Sequence, residues 1–141
     1  MAPKPQALVF DSWAIMAYLE DEPSGTKVAD MIADARERNL PLLMSLVNAG
    51  EVWYLLAKSA SAAEADRTIA ELRSLGIQME PVEWSLAREA ARFRSSCKMS
   101  FADCFAAALA RQKNARLVTG DREFDQVSGE VKILWLTPGK K

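Results

Sequence analysis

The sequence predicts an α/β sandwich on a mostly parallel sheet, with helices on both faces. Two observations and one rule lead there. Apolar runs such as Ala7-Leu8-Val9-Phe10 and Ala115-Arg116-Leu117-Val118 are short and do not alternate cleanly, as befits strands buried on both sides. Helical stretches separate these runs along the chain. Right-handed crossovers between parallel strands then put helices above and below the sheet. At 141 residues the chain suits one domain with a real core.

The elements follow in order. Residues 7–10 form the first strand, and Asp11-Ser12 ends it and can cap a helix from Trp13 to about Glu20. Glu20 to Gly25 is a polar break, and a second helix runs from about Thr26 to Arg38 with Val28, Met31, Ile32 and Ala35 on one face. Pro41 to Met44 reads as a strand, Ser45 as the N-cap of a helix through about Lys58, and Ser61 as the start of another through Ser74. Gly76 stops that helix. Ile77 to Val82 is a third strand, placed at an edge or a strand end by Pro81. Glu83 to Arg94 is helical, Ser95 to Met99 a loop, and Ser100 opens an alanine-rich helix reaching Lys113. Residues 115–118 are the fourth strand, Thr119-Gly120-Asp121 a turn, and Val131 to Leu136 the last strand.

Composition removes whole classes of chemistry. There is no histidine, which excludes Ser-His-Asp and Cys-His triads and ordinary zinc sites. Oxygen ligands remain, and these suit Mg²⁺ or Mn²⁺. With a net charge of −1, the surface as a whole does not bind polyanions, so a nucleic acid needs a local basic patch or bound cations. No apolar stretch is long enough to span a membrane. The N-terminal MAPKPQ lacks the apolar core of a signal peptide, and Cys97 and Cys104 lack metal-finger spacing. A cytoplasmic location is expected.

In open parallel sheets ligands bind beyond the carboxyl ends of the strands. Asp11 and Asp121 follow the first and fourth strands, while Glu51 and Asp103 lie near the starts of helices leaving the same kind of junction. Each acid also has a structural reading. Asp11 and Asp121 can cap turns, and Ser100-Phe101-Ala102-Asp103 is capping-box-like. Glu51 has the weakest such excuse, being three residues from Asn48 on an apolar helix. Four acids meeting at one edge repel, and protonation, basic partners or bound cations resolve that repulsion. With no histidine, and no lysine or arginine next to the first three acids, metal is the economical answer. Ser12, Asn48, Ser100 and Thr119 accompany the acids and can orient them, and Asp125 is a further candidate ligand. Lys58, Arg88, Arg92, Arg94, Lys98 and Arg122 are candidates to track a single-stranded backbone, or are solvated side chains. The segment Trp53 to Ala57 and the helix after Asp103 offer apolar surface to a partner, or are core.

The ordered set Asp11-Ser12, Asn48-x-x-Glu51, Ser100-Phe101-Ala102-Asp103 and Thr119-Gly120-Asp121-x-x-Phe124-Asp125 resembles the PIN-domain family, in particular stand-alone VapC-type toxins of toxin–antitoxin pairs. The resemblance covers residues 6–136, leaving 137–141 as a short basic tail. It implies a three-layer α/β/α fold and a Mg²⁺- or Mn²⁺-dependent endoribonuclease with one or two ions. It also implies a homodimer and a cognate antitoxin. Under it, Asp11, Glu51, Asp103 and Asp121 match the acidic quartet, Thr119 the hydroxyl that joins it, and Asp125 an occasional fifth acid. Trp13 departs from the pattern, being bulky where a smaller residue is expected beside the site. Rival readings are a catalytically idle PIN-like binding module and a phosphoacceptor receiver-like domain. The latter would need an acidic pair after the first strand, which Asp11-Ser12 does not supply.

Overall fold

The computed structural model describes residues 7–137; the ends, including Lys140 and Lys141 of the expected basic tail, lie outside the described residues. Five strands form a single parallel sheet: β1 Leu8–Phe10, β2 Leu42–Ser45, β3 Ile77–Glu80, β4 Arg116–Thr119 and β5 Lys132–Trp135. Their order is β3-β2-β1-β4-β5. The first strand is therefore central, pairing Leu8 with both Leu42 and Arg116. The chain builds outward to β3, crosses back, and adds β4 and β5 on the other side. The reversal between β1 and β4 opens a crevice at the carboxyl ends of those two strands.

Alternation within the short strands divides the core into two layers. Leu8, Phe10, Leu42, Met44 and Val118 face α1 (Ser12–Leu19), α2 (Pro23–Glu37), α3 (Leu46–Ser59) and α4 (Ala62–Ser74). Val9, Leu43 and Leu117 face α5 (Trp84–Ser96) and α6 (Phe101–Gln112). The result is a three-layer α/β/α sandwich. Phe10, Phe93 and Phe124 are wholly buried, and truncating any of them to alanine costs about 3–5 kcal/mol.

Side-chain caps start four of the helices where the sequence indicates. Asp11, Ser45, Ser61 and Ser100 accept hydrogen bonds from the backbone N–H of Ala14, Asn48, Glu64 and Asp103. Each such cap stabilises by about 1 kcal/mol. At the far end of α4, Gly76 has φ of +95°, a left-handed turn that closes the helix at little cost only for glycine.

Several elements depart from expectation. Helix α2 begins at Pro23 rather than Thr26, because proline fits the first helical turn, where its missing N–H costs nothing. β3 stops at Glu80, just before Pro81, and lies at the sheet edge. Helix α5 continues to Ser96, shortening the expected loop. Thr119 ends β4 instead of starting the turn, and a 3₁₀ helix over Arg122–Val127 precedes β5. Cys104 through Ala110 are all buried, so this stretch of α6 is core rather than partner surface, and Phe101 is the large apolar side chain of the helix left exposed. Among the described residues no helix is long and apolar enough to cross a membrane.

Candidate metal centre

Asp11 leaves β1 and lies almost wholly buried beneath the crevice. One carboxylate oxygen, Oδ1, accepts the Ala14 N–H at 2.8 Å, and Oδ2 accepts the Thr119 hydroxyl across the β1–β4 switch point. Thr119 Oγ1 in turn accepts the Asp121 N–H at 3.0 Å. A single hydroxyl thus ties the acid after β1 to the acid after β4. Asn48, fully buried on α3, donates through Nδ2 to Ser12 Oγ and to the Ala102 carbonyl at 3.4 and 3.1 Å. It links α1, α3 and the first turn of α6, the elements that carry Asp11, Glu51 and Asp103. Its Oδ1 is buried without a hydrogen-bond partner.

Above this framework is an open cleft of ≈ 320 Å³ lined by Ser12, Trp13, Met16, Glu51, Leu55, Ser100, Asp103 and Asp121. At its Asp103–Asp121 side, carboxylate oxygens of Asp103, Asp121 and Glu123 lie within 4.8 Å of one another. Glu123 escaped the sequence reading. The pattern Asp121-x-Glu123 after β4 is the signal that could have found it, because the Asp121 carboxylate accepts the Glu123 N–H at 2.9 Å and turns the chain back. Asp125 points elsewhere. Its side chain is 61% exposed and lies 3.8 Å from the Arg122 guanidinium.

Electrostatics show how uncomfortable the acids are together. Burial pushes Asp11 up to about 7; the Thr119 and Ala14 hydrogen bonds oppose this, while Asp103 and Asp121 add to it. Burial likewise raises Asp103 to about 6, helped by Asp121, opposed by the Ser100 hydroxyl, and helped further by Glu51 and Glu123. Among the described residues no lysine or arginine pairs with Asp11, Glu51, Asp103 or Asp121. The donor set is all oxygen, preorganised and uncompensated, which fits a hard divalent cation.

The expected basic residues fare unequally. Arg92 is held by Glu89 and Glu130, at 2.8 and 2.9 Å. Arg122 stacks over the Trp135 ring, 3.9 Å from its centroid, and donates to the Thr137 carbonyl. Lys58, Arg88, Arg94 and Lys98 are exposed. Lys98 has its backbone pinned by Gln126, whose amide bonds both its N–H and its carbonyl.

The comparisons with known proteins agree with this architecture. A sequence model described as the PIN domain matches residues 8–130. The fold is similar to VapBC-1 from nontypeable Haemophilus influenzae, with a TM-score of 0.71 and 18% identity over 94% of this chain and 99% of that one. It is similar to DNA-bound VapBC from Salmonella typhimurium, with a TM-score of 0.74 and 14% identity over 93% and 98% of the two chains. It is also similar to Mycobacterium tuberculosis VapC20, described as a sarcin-ricin loop cleaving toxin, with a TM-score of 0.66 and 21% identity over 89% and 98%. At these identities the likeness is one of fold. No curated protein matches the chain in sequence.

Proposed function

The chain belongs to the PIN-domain family, and from that premise we propose that it is a divalent-metal-dependent endoribonuclease that cleaves single-stranded RNA. The observation that carries this reading is the cleft at the β1–β4 switch point, where buried and half-buried acids converge with no lysine or arginine among the described residues paired to them. Asp103, Asp121 and Glu51 face the cleft and would hold one or two Mg²⁺ or Mn²⁺ ions there. Asp11 completes the quartet from below, oriented by Thr119. Glu123, close to Asp103 and Asp121, takes the supporting place first assigned to Asp125. Ser12, Ser100 and Asn48 fix the spacing of the acids. Bound there, a divalent ion supplies positive charge against the phosphodiester and acidifies water. With no imidazole in the chain, the carboxylates are the groups that accept and hold protons during hydrolysis. In-line attack by water leaves 5′-phosphate and 3′-hydroxyl ends.

The same reading makes the protein the toxin of a type II toxin–antitoxin pair, acting as a homodimer and silenced by a cognate antitoxin. Similarity in fold to toxin–antitoxin complexes supports it, as do the exposed apolar side chains Leu46, Tyr54 and Leu55 along α3. Purified protein is expected to cut RNA with Mg²⁺ or Mn²⁺ and to stop with EDTA; undiminished cutting in chelator defeats the mechanism. Co-expression with the product of a neighbouring small reading frame, followed by light scattering and a growth assay, tests the partners. A monomer that neither binds that product nor slows growth defeats the toxin reading alone. A catalytically idle PIN-like module is the second reading, favoured by the bulk of Trp13 at the cleft; calorimetry showing no metal uptake would select it.

A further inference from the structure

The cleft that gathers the acids has a second lining that metal binding leaves unused. Trp13 stands two residues after Asp11 in the first turn of α1, and with Met16 and Leu55 it makes the apolar part of the cleft. Its indole is pressed against Gly120, the residue between Thr119 and Asp121. A Cβ added at Gly120 would lie 2.3 Å from the ring. Only glycine admits the indole there, so the turn that presents Asp121 also seats the tryptophan. Ala14 and Ile15, the next residues of α1, are completely buried, whereas Trp13 stays partly exposed at the cleft. A side chain serving only to fill the core would be covered as they are.

We propose that Trp13 is a stacking platform for an unpaired nucleobase next to the scissile phosphate. The proposal rests on the nuclease reading and specifies its substrate. A nucleotide presents an anionic phosphate and a flat apolar base on one sugar. This cleft presents cation-holding carboxylates and a fixed aromatic ring in one recess. In a duplex both faces of each base are covered by neighbours, so only a single strand or a splayed-out nucleotide can use the ring. The seat on Gly120 holds the ring rigid before substrate arrives, which lowers the entropic cost of stacking.

Short single-stranded RNAs carrying 2-aminopurine at successive positions test this. Each is mixed rapidly with protein in Mg²⁺, quenching is read in the first, binding phase, and cut ends are then counted in the same mixture. Wild type is expected to quench the probe severalfold at one or two positions flanking the cut. Trp13→Ala should abolish that quenching and weaken binding about tenfold, the scale of one base–aromatic stack. Trp13→Phe should keep most of both. Gly120→Ala retains the tryptophan but removes its seat, and should lose the position-specific quenching as well. Quenching absent at every position in wild type, or equal in Trp13→Ala, overturns the proposal. So does a Trp13→Ala protein that cuts less while binding and quenching stay unchanged. Quenching without cut ends would instead overturn the nuclease reading and leave the stacking site standing.

Discussion

Helix α6 carries a cluster of charge at each end, and the two are built on opposite rules. At its last turn, Arg111 meets Glu89 at 2.9 Å and lies 3.7 Å from Glu130, and Arg92 bonds both acids. Arg92 holds the Glu89 carboxyl below its ordinary range, although burial works against it. At the first turn, Asp103 faces Asp121, Glu51 and Glu123, and burial, aided by those acids, raises its carboxyl to about 6. The fold has arginines to spare and places none among these acids. The C-terminal cluster is compensated within the chain, while no lysine or arginine among the described residues pairs with the acids of the N-terminal one.

The sharpest way to break this contrast is to neutralise the uncompensated end. Asp103→Asn or Asp121→Asn should reduce cleavage about a hundredfold or more, at least the scale seen when groups supporting a metal are lost. The metal-free variants should melt no lower than wild type, since relief of repulsion offsets the change. Next in size is the response to the ion itself. At about a hundredfold excess over its dissociation constant, Mn²⁺ should stabilise wild type by about 2.7 kcal/mol, or a rise in Tm of about 8 °C. The Asp103→Asn/Asp121→Asn double variant should show no such rise in calorimetry.

Proton linkage gives a third test. Asp11 and Asp103 hold protons in the folded chain that the unfolded chain releases from about pH 3.8 upward, since their folded values are raised to about 7 and about 6. Their contribution to metal-free stability is therefore fully present below that pH and lost as pH rises through 6 to 7. Thermal melts in EDTA should fall from pH 5 to 8, and Asp11→Asn should flatten the trend. With saturating Mn²⁺ the slope should reverse, because ligands must deprotonate to bind. The smallest effect belongs to the compensated end. Arg92→Ala should cost about 1 kcal/mol or less, because its pairs are partly exposed. The cost should shrink in roughly half-molar salt, with cleavage unchanged. A tenfold loss of cleavage would return Arg92 to the RNA interface.

The convergence of these acids was legible because each lies close after a strand or within the first two turns of a helix, and parallel topology sends such junctions to one edge. The side chains beyond it were harder. Asp125 lies four residues after Asp121 and matches an occasional fifth acid under the resemblance, but its side chain is exposed beside Arg122. Asp121 instead caps the 3₁₀ helix and accepts the Glu123 N–H, which keeps Glu123 beside it. The role of Trp13 was hidden for a similar reason. Its partner, Gly120, is more than a hundred residues along the chain, and nothing local joins them. For Arg92 the sequence shows only the local partner Glu89, three residues before it, whereas Glu130 and Arg111 reach the network only through tertiary packing.

The central place of β1 bears on how the molecule is made. The first of the five described strands in chain order, β1, pairs on one side with β2 and on the other with β4, and the Thr119–Asp11 bond at the site spans 108 residues. Such long-range closure is slow, since loop entropy is lost before the contacts that repay it form. During synthesis β1, β2 and β3 can associate early, but one edge of β1 stays open until β4 is released. Asp103 and Asp121 arrive with that last segment. A chain made only through β3 thus carries Asp11 and Glu51 without Asp103 and Asp121, and the four acids come together only once β4 has joined the sheet.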